Sequence, residues 1–196
     1  CELICIGTST GGPNALAELF QKITTPLSVP VAIVQHMPPM FTKLLADRLN
    51  NITGSIRCHE AADGDSLSPG HAYIAPGGRH LTVTRQLDGT FVARLTDTPP
   101  ENSCRPAVDV LFRSAAETGA HVLAIVMTGM GSDGLHGARH ISSRGGRILV
   151  QDEESSVVWG MPGAIAQAGL ANAVKPIPEL AAELVRRAGI PHLASA

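Results

Sequence analysis

The sequence predicts an α/β fold: a doubly wound, mostly parallel sheet with helices on both faces and an antiparallel β-hairpin at the edge. Three observations carry this. Short continuous apolar runs such as Val31-Ala32-Ile33-Val34 and residues 122–127 read as strands buried on both faces. Apolar stripes at helical spacing alternate with these runs along the chain. In the middle, two segments of period-two alternation are joined through Asp88-Gly89, a hairpin signal.

Taken in order, residues 2–6 form a β-rich run, and the Gly-rich turn Gly7-Thr8-Ser9-Thr10-Gly11-Gly12-Pro13 leads into a helix over 13–23 with Leu16, Leu19, Phe20 and Ile23 on one face. The strand 31–34 closes on Gln35-His36-Met37-Pro38-Pro39 and is followed by the helical stripe Phe41, Leu44, Leu45, Leu49. Between 71 and 95, Leu81 and Val83 alternate on one side of the Thr84 to Thr90 tip, and Phe91, Ala93 and Leu95 on the other. A loop over 97–106, with Pro99, Pro100 and Pro106, enters a helix marked by Val108, Leu111, Phe112 and Ala115. The strand 122–127, a helix over 135–143, a strand over 147–150 and a helix over 180–188 complete the pattern.

The chain has 196 residues, 44% hydrophobic and 16% charged, which suffices for one sizeable core; residues 1–196 are expected to form a single domain. Fifteen Lys and Arg against 17 Asp and Glu give a net charge of −2, so the basic footprint of a nucleic-acid binder is missing. No apolar run approaches the roughly 20 residues that span a bilayer, and no basic-then-apolar leader precedes the first strand. The expectation is a cytoplasmic protein with no nucleic-acid partner and no direct membrane insertion. Cys1, Cys5, Cys58 and Cys104 form no C-x-x-C pair and read as reduced thiols.

Three turns carry residues suited to chemistry. Gly7-Thr8-Ser9-Thr10-Gly11 matches G-x-S-x-G and lies between strand and helix, where a sharp turn lifts a Ser hydroxyl clear of the sheet. A phosphate loop would need Lys followed by Ser or Thr at its end, whereas Pro13 offers neither N–H nor charge. A strand-to-helix turn without chemistry is the plain alternative. His36 follows the second strand, and active groups of parallel sheets gather at strand carboxyl ends, so Ser9 and His36 share one rim. Asp133, in Thr128-Gly129-Met130-Gly131-Ser132-Asp133-Gly134, follows a third strand. It reads either as the N-cap of the next helix or as the acceptor that orients His36; the two roles are compatible. Together the three suggest a serine hydrolase of unspecified substrate, with the triad in the chain order Ser, His, Asp. A rival metal set draws on His136 and His140, at i and i+4, with His36 or Asp133, but Gly137 stands where H-E-x-x-H needs Glu. His59, His71, His80, His121 and His192 share no usable spacing.

These turns, together with Pro69-Gly70-His71-Ala72-Tyr73-Ile74-Ala75-Pro76-Gly77, Arg105-Pro106-Ala107-Val108-Asp109-Val110-Leu111-Phe112 and Gly160-Met161-Pro162, make nearly the whole chain resemble the catalytic domain of the chemotaxis receptor methylesterase family, the CheB type. The resemblance implies hydrolysis of γ-glutamyl methyl esters on the cytoplasmic helices of chemoreceptors, with methanol released, and often deamidation of receptor glutamines. It assigns Ser9 as nucleophile, His36 as general base, Asp133 as the residue orienting His36, and the backbone N–H of Met130, with Thr10 as second candidate, as oxyanion donors. No metal or organic cofactor is implied. Family members usually carry an N-terminal phosphorylated receiver domain, absent from this chain, which makes a covalently linked receiver an expected partner in the full-length protein. His136, His140 and Gly163-Ala164 depart from the family pattern. A catalytically silent receptor- or sensor-binding module of the same fold is the competing reading.

Overall fold

In the computed structural model, which describes residues 1–188, seven strands form one fully parallel sheet. His192 lies outside the described residues. The strands are β1 (Leu3–Thr8), β2 (Val31–Gln35), β3 (Arg57–Glu60), β5 (His71–Ile74), β8 (Val122–Val126), β9 (Arg147–Gln151) and β10 (Ala173–Lys175), in the order β10-β9-β8-β1-β2-β5-β3. Five α-helices connect them: α1 (Gly12–Lys22), α2 (Phe41–Ile52), α3 (Val108–Glu117), α4 (Leu135–Ser143) and α5 (Met161–Gln167). A sixth, α6 (Ile177–Ala188), follows β10.

Alternation along each buried strand sorts side chains onto two faces. Ile4 and Ile6 of β1 join Leu16, Leu19 and Phe20 of α1, Leu45 and Leu49 of α2, and Leu180 and Leu184 of α6 in one core. Leu3 and Cys5 point the other way, into a core with Leu111 and Phe112 of α3, Ile141 of α4 and Ile165 of α5. The sheet is therefore covered on both faces, as the continuous apolar runs of its central strands require.

The hairpin forms as expected, with β6 (His80–Arg85) paired to β7 (Phe91–Thr96) and the chain reversing over residues 86–90. It does not extend the main sheet. β7 pairs on its other side with β4 (Ser66–Leu67), giving a separate three-stranded antiparallel sheet. Leu81 and Val83 bury against α3, and the Val83 N–H donates to Ser114 Oγ at 3.0 Å. The edge strands β3 and β10 escape sequence reading: β3 is short and carries Arg57, His59 and Glu60, the charged composition of an exposed edge.

Strand β1 runs two residues beyond the expected limit, because Thr8 still has a register partner in Gln35. After β1 the chain adds β2 beside it, places β3 at the edge, inserts β5 between β2 and β3, and then returns to lay β8 on the other side of β1. That reversal is the topological switch point, and the carboxyl ends of β1, β2 and β8 meet there.

Candidate active site

Ser9 is the first residue after β1, and backbone bonds fix it from both sides. Its N–H donates to the Thr128 carbonyl at 3.0 Å, while its carbonyl accepts the Gly12 N–H at 2.8 Å. On the neighbouring strand the His36 N–H donates to the Thr8 carbonyl at 3.1 Å, carrying the ladder one step past the end of β2. Gln35 ties the two together. Its buried side chain accepts the Thr8 hydroxyl at 2.6 Å and donates to the carbonyls of Ser9 and His36 at 3.0 and 2.9 Å. Gln35→Leu keeps the volume and leaves these partners unsatisfied. We expect a stability loss of about 2–3 kcal/mol in denaturant unfolding, with the circular-dichroism spectrum unchanged.

The loop after His36 is held down from the other sheet neighbour. Gly77, just past β5, packs so closely that a Cβ there would stand 2.3 Å from the Pro39 nitrogen and 2.4 Å from the Pro38 carbonyl carbon. Only glycine permits this approach, which accounts for the Pro76-Gly77 pair in the sequence.

Asp133 is buried, and His36 Nε2 lies 2.7 Å from its Oδ2. Asp133 also accepts the N–H groups of Val108 at 2.7 Å and Asp109 at 3.0 Å, and the Asn102 side-chain amide at 2.9 Å. These backbone donors open α3, whose own N-cap Ala107 has no capping side chain. The expectation that Asp133 caps the following helix is therefore corrected: Gly134 occupies that N-cap, and Asp133 caps α3 from across the fold. The reason is the β8 crossover, which delivers the loop to the exposed donors at the start of α3. Burial works to raise the carboxyl pKa, but the hydrogen bonds from His36, Asp109 and Val108 outweigh it and hold Asp133 below the ordinary aspartate range.

Because Nε2–H donates to Asp133, the other ring nitrogen of His36, Nδ1, carries the lone pair. In the serine-protease arrangement the carboxylate holds Nδ1 instead, so the ring here is used in the opposite sense. No hydrogen bond joins the Ser9 hydroxyl to His36. Nδ1 instead faces Cys104 Sγ at 3.5 Å. Burial, and then the charge of Asp133, push the Cys104 thiol up, so it is neutral at pH 7.

The Thr10 and Met130 N–H groups have no intramolecular partner among the described residues. The orientation of the latter is set remotely. The Gly129 carbonyl accepts N–H bonds from Gly160 at 3.1 Å and Met161 at 2.8 Å, and in a trans peptide the Met130 N–H must point the opposite way. That is the physical content of Gly160-Met161-Pro162.

His136 and His140 are exposed on α4 and do not join His36 or Asp133. The group of potential metal ligands found among the described residues is His36, Cys104 and Asp133. His80 is buried and structural: its Nδ1 accepts the Ala107 N–H and its Nε2 donates to the Pro99 carbonyl, both at 3.1 Å, pinning the ends of the 99–107 loop. Sequence reading missed Gln35, Asn102 and Cys104 as neighbours of the site. A cavity of about 810 Å³ between α2 and β3, lined by Lys43, Asp47, Asn50 and His59 among others, contains none of Ser9, His36 and Asp133.

A family model described as CheB methylesterase matches residues 4–184. The chain is 53% identical over 190 residues to a "Protein-glutamate methylesterase/protein-glutamine glutaminase" of Trichodesmium erythraeum, covering 96% of this chain and 53% of that protein. It is 57% identical over 187 residues to a protein of the same description from Nocardioides, covering 95% of this chain and 50% of the relative. It thus spans about half the length of the curated relatives it matches. The crystal structure of the Thermotoga maritima CheB methylesterase catalytic domain superposes with a TM-score of 0.91 at 37% identity, covering 95% of this chain and 98% of that one.

Proposed function

Because the chain belongs to the CheB methylesterase family, we propose that it is a serine hydrolase that removes methyl groups from γ-glutamyl methyl esters of chemoreceptors, releasing methanol, in chemotactic adaptation. The observation that carries the assignment of roles is the 2.7 Å contact of His36 Nε2 with Asp133, beside Ser9 at the switch point.

Ser9 Oγ attacks the ester carbonyl carbon while its proton passes to His36 Nδ1, a rotation of the hydroxyl or the ring bringing the two within reach. The imidazolium so formed is stabilised by Asp133, whose depressed pKa keeps it ionised. The N–H groups of Met130 and Thr10 receive the oxyanion. Collapse breaks the bond to the methoxy oxygen, which takes the proton from Nδ1 and leaves as methanol. A water molecule, deprotonated by the same nitrogen, then cleaves the glutamyl ester of Ser9. A glutamine side chain follows the same course with ammonia as leaving group, consistent with the glutaminase in the relatives' description.

Exposed Met40, Phe41 and Leu44 beyond His36, and exposed Met130 and Val157, give the site an apolar rim suited to a side chain presented on a receptor helix. No described helix is long and apolar enough to cross a membrane. The proposed setting is cytoplasmic, with a receiver domain as a covalently linked regulator in the full-length protein.

The test is methanol release from a receptor cytoplasmic fragment carrying radiolabelled methyl esters. We expect turnover well above spontaneous hydrolysis. A folded chain that binds the fragment and releases no methanol would establish the silent binding module instead.

A further inference from the structure

We propose that Cys104 Sγ and His36 Nδ1 form a binding site for a soft divalent cation such as Zn²⁺, and that occupancy of this site switches the hydrolase off. The inhibition rests on the proposed role of His36; the binding does not.

The separation of the two atoms is what a tetrahedral zinc requires. Zinc bonds of about 2.3 Å to sulfur and about 2.0–2.1 Å to nitrogen place two ligand atoms roughly 3.6 Å apart. Sγ and Nδ1 already lie 3.5 Å apart. A histidine that holds a metal usually donates its other ring N–H to a carboxylate, which fixes both tautomer and ring plane. Asp133 does this to Nε2 at 2.7 Å, so Nδ1 presents its lone pair towards the thiol.

The thiol is held by a built loop. Glu101 and Cys104 exchange backbone hydrogen bonds, Glu101 N–H to Cys104 carbonyl at 3.0 Å and the reverse at 2.8 Å. Arg113 clamps the Glu101 carboxylate with two contacts of 2.5 Å. Asn102 bridges the carboxylates of Asp109 and Asp133, at 2.9 Å each. Asn102 and Ser103, inside this turn, adopt positive φ of 52° and 61°. Cys104 is only half-buried, so a hydrated ion reaches it from solvent.

On binding, the S–H bond breaks, its proton leaves to solvent, and the thiolate and Nδ1 each donate an electron pair to the metal, with water completing the coordination shell. No electron is transferred. The consumed lone pair is the one that receives the Ser9 proton, so the ion blocks the base and leaves the fold untouched. Cys104 takes no part in ester hydrolysis itself.

Co²⁺ is the direct probe, since a cobalt–thiolate bond gives a near-ultraviolet charge-transfer band. The intact chain carrying Cys1→Ser, which removes the exposed N-terminal thiol as a competitor, is expected to develop this band and saturate at one equivalent. Adding Cys104→Ala abolishes it, and adding Ser9→Ala leaves it intact. In methanol-release assays, Zn²⁺ is expected to inhibit the Cys1→Ser protein at least tenfold, reversibly by chelator. Cys104→Ala hydrolyses at the parent rate and requires at least tenfold more Zn²⁺ for the same inhibition. A folded parent without the band, or a band or zinc sensitivity unchanged in Cys104→Ala, overturns the proposal. A protein that shows the band and hydrolyses nothing overturns the functional reading and leaves the metal site standing.

Discussion

Ser9→Ala is expected to lower methyl-ester hydrolysis on the order of 10⁴-fold or more, because without the nucleophile only the oxyanion donors and binding remain. The substitution should cost the fold almost nothing. Ser9 Oγ makes no hydrogen bond among the described residues, and both backbone bonds that fix the residue survive in alanine. Thermal unfolding is therefore expected within about 0.5 kcal/mol of the parent. A Ser9→Ala protein that releases methanol at the parental rate would overturn the nucleophile assignment, and the preserved fold makes that comparison clean.

Asp133→Asn behaves differently, since it strikes activity and stability together. One carboxylate serves four donors: the His36 ring, the N–H groups of Val108 and Asp109, and the Asn102 amide. An amide in its place has a single acceptor oxygen and turns an N–H₂ group towards two of those donors, either His36 and Val108 or Asn102 and Asp109. Facing His36, that group favours the proton on Nδ1, the wrong nitrogen. We expect kcat to fall by about 10³- to 10⁴-fold and stability by about 2–4 kcal/mol. The pH dependence has a definite sign. The folded-state pKa of Asp133 lies below its ordinary value of 3.8, so its ionised form stabilises the fold. The stability gap between parent and Asp133→Asn is thus fully present above about pH 5, and shrinks as the pH falls through 3.8 towards the folded-state value. Urea titrations at pH 7, 5, 4 and 3 check this; a gap independent of pH would mean the charge of Asp133 is not what holds α3.

Much of this site was legible because each of its three side chains follows an apolar strand and sits in a turn with an unusual density of glycine or proline. Strand ends in a parallel sheet are identifiable from hydrophobic runs, and one rim follows from topology. The neighbours of these three residues were not legible, for a physical reason. Gln35 acts through cross-strand register with Thr8, which appears only when β1 and β2 pair. Asn102 supports Asp133, and Cys104 comes to lie beside His36, only through closure of a loop onto segments about 30 and 70 positions away in the chain. The helix that Asp133 caps precedes it, so a reading that looks only forward from Asp133 finds the wrong one. In the fold, β10 and β4 have three and two residues, too short for any periodicity. The hairpin itself was plain in Asp88-Gly89, but its third strand, Ser66 and Leu67, lies more than 20 residues upstream and is too short to signal the pairing.

The order in which the strands meet also bears on synthesis. A nascent chain that has emerged only through β7 already holds Ser9 and His36, yet the strand that seats β1 from its other side, and the loop carrying Asp133, have not been made. The proposed nucleophile and base are thus translated long before the carboxylate that holds the base's ring, and domains complete their folding as units. On the proposed roles, a ribosome-bound intermediate is accordingly expected to be inert in methyl-ester hydrolysis until the eighth strand slides in beside the first.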